Sequence, residues 1–100
     1  MPETVTVTVH YLFRPGMEVS GRQELEEFVA LNRAFSGCIS SVIHRDLKNA
    51  ASYMTISKWE SMDQFMKLLN EEHIKLYAEK SRRILIKPFK VQIWKEIDNH

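Results

Sequence analysis

Strict alternation governs the start of this chain. In Val5-Thr6-Val7-Thr8-Val9-His10-Tyr11-Leu12-Phe13, the residues Val5, Val7, Val9, Tyr11 and Phe13 fall on one side. Thr4, Thr6, Thr8 and His10 fall on the other. β-Branched and aromatic residues at period two dictate a strand with one covered face, because a helix would scatter them around its circumference. Arg14-Pro15-Gly16 ends the strand, since proline removes a donor and glycine permits a turn.

The period then changes. Leu25, Phe28, Val29, Asn32 and Phe35 return at intervals of three and four, which is the stripe of an amphipathic helix. Ser20 with Gln23 resembles a capping box at its start, and Ser36-Gly37 closes it. Cys38 to Asp46, carrying Ile39, Val42 and Ile43, reads as a second strand, and Ser52 to Trp59 as a third. The short turn Lys48-Asn49-Ala50 between them predicts an antiparallel hairpin. Ser61 and Gln64 form a second capping box, with Asp63 suited to the positive helix start. Met62, Phe65, Met66, Leu69, His73, Leu76 and Tyr77 then share one arc of a helix, with a kink expected near Asn70-Glu71-Glu72. Ile84 to Ile86 and Phe89 to Ile97 give a last extended stretch, interrupted by Pro88. The order strand, helix, strand, strand, helix, strand predicts an α+β, ferredoxin-like βαββαβ domain. It spans residues 1–100 with a core of about 4–97, and has a four-stranded antiparallel sheet with two helices on one face.

Composition removes several classes of function. Lys plus Arg is 14 and Asp plus Glu is 13, so the net charge of +1 gives no footprint for nucleic acid or an anionic membrane surface. The apolar share of 44% and charged share of 27% suit a folded domain rather than a disordered chain. Cys38 is alone and supplies neither an internal disulfide nor a CxxC site. Gly16, Gly21 and Gly37 are not spaced as a phosphate loop. His10 and His44 sit on strands that the expected order separates, so no metal site is expected. No apolar run is long enough to span a bilayer, and no leader pattern opens the chain. The expectation is a cytoplasmic domain with no membrane or nucleic-acid partner.

Two helices cover only one face of such a sheet. In the last strand Val91, Ile93 and Ile97 occupy one side while Trp94 lies on the other, between Gln92 and Glu96. The second strand likewise sets Val42 against Ile39 and Ile43. Apolar groups on both faces predict a homodimer with the sheets packed face to face and Trp94 at or near the interface.

An ordered set of local features then points to a family. The first strand ends in Tyr11-Leu12-Phe13-Arg14-Pro15-Gly16, the second begins at Ser36-Gly37-Cys38, and the third ends in Lys58-Trp59-Glu60-Ser61. The next helix carries Phe65 and then His73. Together these resemble the antibiotic biosynthesis monooxygenase (ABM) superfamily, the dimeric αβ-barrel proteins. The resemblance implies a ferredoxin-like monomer paired into a barrel, with a pocket between helices and sheet. It also implies cofactor-independent oxidation of a small aromatic, quinol-like or phenolic compound. The haem-degrading branch of that superfamily places a further Trp and His where Leu68 and Ala78 fall here, so stoichiometric haem binding is not expected.

A cofactor-free oxygenase needs a base to ionise the substrate and an apolar pocket to hold the anion. His73 is the candidate base, because imidazole titrates near neutral pH. Arg83 is a weaker candidate for stabilising an oxyanion. Trp59, Tyr77, Tyr11, Phe28, Phe65 and Met66 are the candidate pocket walls. The pocket is expected between the second helix and the sheet, with no metal, flavin or other cofactor inside. The alternatives are a non-catalytic small-ligand-binding or stress-related barrel of the same fold, and a pure assembly domain.

Overall fold

The computed structural model describes residues 3–97, so the ends of the expected domain, residues 1–2 and 98–100, lie outside the described residues. The elements are β1 (Val5–Leu12), α1 (Glu18–Arg33), β2 (Cys38–Arg45), β3 (Ser52–Trp59), α2 (Met62–Leu68), α3 (Glu72–Ile84) and β4 (Lys90–Trp94). The four strands form one antiparallel sheet in the order β2-β3-β1-β4, the ferredoxin-like α+β arrangement.

The alternation of β1 sorts the two faces. Val7, Tyr11 and Phe13 are buried on the side of the helices. Thr6 and Thr8 pair with Lys58 and Ile56 of β3 on the open side. Phe13 falls one residue past β1 and forms an isolated bridge with Leu85. Ile84, expected in the last extended stretch, is instead the final residue of α3.

The first helix begins earlier than its apparent capping box. Met17 is its N-cap and Glu18 supplies the acidic first turn. The turn at Pro15-Gly16 folds Met17 back onto Arg14 at 2.9 Å, and the Gly21 amide already bonds the Met17 carbonyl at 2.8 Å. Ser20 is thus inside the helix, where its hydroxyl turns to the Met17 sulfur. The second box forms as expected on its serine side, with Ser61 Oγ accepting from the Gln64 amide at 3.2 Å.

The kink expected near Asn70 is a full break, which yields two helices instead of one. Its effect is a change of phase. Phe65 and Leu68 are the buried residues of α2, and Tyr77, Ser81 and Ile84 those of α3. Met62, Met66, Leu69 and Leu76, expected on the covered arc, are exposed.

Two glycines set close approaches. A Cβ on Gly21 would stand 2.5 Å from the Phe13 ring, so α1 can rest directly on the end of β1. Gly37 has φ +96°, and a Cβ there would meet Gln64 at 2.5 Å. Both the backbone conformation and the seating of α2 therefore require its missing side chain.

The covered core has two clusters. One holds Tyr11, Phe13, Leu25, Val29, Tyr53, Tyr77, Ile84 and Leu85. The other holds Val7, Trp59, Phe65 and Leu68. Among the described residues, no element covers the opposite face. Val42, Ile56, Thr8 and Gln92 form one row across it, and Trp94 stands beside Thr6. Val42 and Trp94 are 49% and 50% exposed. The Trp94 indole donates to Thr8 Oγ1 at 2.8 Å. Val91 and Ile93 pair with Val9 and Val7 on the covered side but stay exposed, because β4 is the edge strand. No helix among the described residues is long and apolar enough to cross a membrane.

Candidate active site

A cleft of about 420 Å³ opens between α1 and α3. Glu24, Phe28 and Leu31, at helical spacings of four and three, present one face of α1 to it. His73, Tyr77 and Lys80 do the same from α3. Glu27, Leu76, Glu79 and Arg83 complete the lining.

Aromatic rings make the floor. Phe28 and Tyr77 stack with centroids 4.0 Å apart and planes 17° from parallel. Tyr11 meets Tyr77 edge to face at 6.3 Å, and Phe89 packs against both. His73 lies 5.9 Å from the Phe28 ring. Its Nε2 is 2.9 Å from Asn32 Oδ1. An amide oxygen only accepts, so with that oxygen facing the ring a neutral His73 imidazole carries its proton on Nε2 and its free lone pair on Nδ1.

Two residues that line this cleft each bury a polar atom without a partner. Among the described residues, Glu24 Oε2 and the Tyr77 hydroxyl are the buried side-chain polar atoms that make no hydrogen bond. Such a group forgoes its hydration at a cost of about 1–3 kcal/mol. Burial pushes the Tyr77 phenol well above its ordinary range, and the nearby Tyr11 and Glu24 charges push the same way. Tyr77 therefore remains a donor at any physiological pH. Burial also drives the Tyr11 phenol to about 12, against a hydrogen bond with the Thr55 side chain that lowers it.

The candidate residues separate into three groups. His73, Tyr77, Phe28 and Arg83 line the cleft, and Tyr11 backs it from the sheet. Trp59 and Phe65 belong to the other core cluster, with Phe35 on the outer side of Trp59. Met66 is exposed on α2. The cleft itself lies between two helices, not between helix and sheet, because the break before α3 turns His73 toward α1. Two residues were not anticipated. Asn32 carried a signal, being the one polar member of the apolar stripe of α1. Glu24 carried none, since a glutamate in a helix ordinarily marks the solvated side. No group of three His, Cys, Asp or Glu side chains among the described residues could hold a metal ion. Leu68, at one of the places where the haem-degrading branch differs, is packed in the core.

The sequence matches the family described as antibiotic biosynthesis monooxygenase over residues 4–80. No curated protein matches it. Among solved structures, PA3566 from Pseudomonas aeruginosa is similar with a TM-score of 0.88 at 21% identity, over 98% of both chains. Rv0793 from Mycobacterium tuberculosis gives 0.88 at 18% identity, over 97% of this chain and 98% of that one. SnoaB from Streptomyces nogalater, described as a cofactor-independent oxygenase and solved as a point mutant, gives 0.85 at 15% identity, over 97% and 96%. At these identities the likeness concerns the fold.

Proposed function

Because the chain belongs to the antibiotic biosynthesis monooxygenase family, we propose that it oxidises a small phenolic or quinol-like aromatic with molecular oxygen and no added cofactor. The observation that carries this reading is the cleft between α1 and α3, floored by the Phe28–Tyr77 stack with His73 at its side. A flat ring fits against such a stack, and the apolar floor withholds water from an anion formed there. His73 Nδ1 takes the substrate proton while Asn32 fixes the tautomer through Nε2. The resulting phenolate passes one electron to oxygen, and the two radicals couple at a ring carbon. Loss of water leaves a carbonyl, so substrate and oxygen give quinone and water with no external reductant. Arg83, on the rim, supplies a positive charge for the anionic stage. A cofactor-independent oxygenase of the same fold supports the reading.

Oxygen uptake over a panel of quinols and anthrones, without added cofactor, is the test. His73→Ala should lower turnover by about 10²-fold. Binding of the same compounds with no oxygen uptake would leave a non-catalytic binder.

We also propose a homodimer closed over the open sheet face. The exposed apolar surface at Val42 and Trp94, which no element among the described residues covers, supports it. A stable pairing of this kind buries on the order of 2,000 Å². Light scattering at micromolar concentration should give twice the chain mass, and a monomeric mass would defeat the proposal.

A further inference from the structure

The two unpartnered atoms of the cleft ask for opposite things. Tyr77, held protonated by burial, has a hydrogen to give. The Glu24 carboxylate has a lone pair to offer. Both residues line the same cavity, from facing helices. Among the oxygen groups of an aromatic ligand, a hydroxyl meets both demands with a single atom, as a water molecule does. It accepts from Tyr77 and donates to Glu24. A carbonyl accepts from Tyr77 but sets its own lone pairs against the carboxylate. An ether oxygen fails the same way, and an ammonium cannot accept.

We propose that Glu24 and Tyr77 form a hydroxyl-selective clamp, which holds the reduced, hydroxyl-bearing aromatic and rejects its quinone. This rests on the reading of the cleft as a quinol or phenol site and adds Glu24 to it as a specificity residue. A ring held against the Phe28–Tyr77 stack occupies the cavity that Glu24 and Tyr77 both line. Sites built to hydrogen-bond a hydroxyl discriminate steeply against analogues that lack it, since the buried partners are then left bare. In a reaction that turns hydroxyl into carbonyl, the same clamp expels the product. Conversion removes the hydrogen that Glu24 was accepting.

The test is binding under nitrogen, where no turnover intervenes. The probes are 1,4-naphthohydroquinone, 1,4-naphthoquinone and 1,4-dimethoxynaphthalene, which share one ring system and differ in oxygen chemistry. The wild-type protein should hold the hydroquinone at least about tenfold more tightly than the other two. Glu24→Gln replaces the acceptor by an amide that can also donate, and should abolish or invert the preference between hydroquinone and quinone. Tyr77→Phe should weaken hydroquinone and quinone together and leave the dimethyl ether least affected.

Equal affinity of wild type for the three probes overturns the clamp, as does binding of none of them. An unchanged preference in folded Glu24→Gln also overturns it. That last result, with a loss of stability in both variants, would mean that Tyr77 bonds Glu24 directly. Oxygen uptake separates the two proposals. Selective binding without uptake keeps the clamp and ends the oxygenase reading, and uptake without selectivity does the reverse.

Discussion

The two clusters of the covered core are each built around a large aromatic with one polar atom, and they treat that atom differently. Trp59, 1% exposed, donates its indole N–H to Ser57 Oγ at 3.0 Å. Phe35 and Phe65 pack against it, and it is not part of the lining of the cleft between α1 and α3. Tyr77 is nearly as buried and stacks on Phe28, yet its hydroxyl has no partner, and the residue lines a cavity. Burial alone therefore does not distinguish the two aromatics. What separates them is whether the polar atom is satisfied by the chain itself.

The comparison can be broken at its structural end first. Trp59→Ala removes the largest side chain of the closed cluster and should cost about 3–5 kcal/mol of unfolding free energy. The urea midpoint reads this loss. A cost under about 1 kcal/mol would mean the cluster collapses freely around the gap, and that it is no better packed than the cleft.

A second measurement turns on Tyr11, which backs the cleft. Its phenol is raised by burial from 10.0 to about 12, so the folded chain holds that proton more tightly than the unfolded chain does. The associated stability is complete below pH 10 and is lost as the pH climbs toward about 12. The loss amounts to about 3 kcal/mol across that window. Denaturation midpoints on the alkaline limb should fall accordingly, and Tyr11→Phe should flatten the fall. An identical limb in that variant would place the alkaline instability elsewhere.

The smallest effect is the sharpest discriminator. Tyr77→Phe deletes a hydroxyl that makes no bond in the ligand-free chain. Removing an unmet buried hydroxyl should leave stability unchanged or raise it by about 1 kcal/mol. A loss above about 2 kcal/mol would show that the hydroxyl is satisfied after all, and Tyr77 would join Trp59 on the structural side.

The strands were legible in the sequence because their signals are local. The alternation from Val5, the short turn between β2 and β3 and the Ser61 cap each depend on a few neighbouring residues. The site was legible only in part. His73, Tyr77, Phe28 and Arg83 stood out by residue type and do converge on one cleft. Their direction did not, because a wheel drawn through residues 62–77 assumes an unbroken helix. The break after Leu68 re-phases everything beyond it. At the end of α2 Leu68, not Leu69, is the buried residue, and beyond the break His73 meets Asn32 of α1. Glu24 was beyond reach for a different reason. Its Oε2 is buried beside a cavity lined jointly with α3, and that juxtaposition is written in tertiary packing rather than in the periodicity of α1.

The bond from the Trp94 indole to Thr8 Oγ1 bears on how freely the open face can diverge. The indole has one strong donor, and the chain uses it internally. What remains outward is a flat hydrocarbon-like plate that demands no matching acceptor from whatever covers it. Substitutions opposite such a plate are constrained by volume and contour, and scarcely by hydrogen-bond direction. Lineages of this domain can therefore drift widely at that surface, and swap covers, while the strand that carries the tryptophan stays locked to β1.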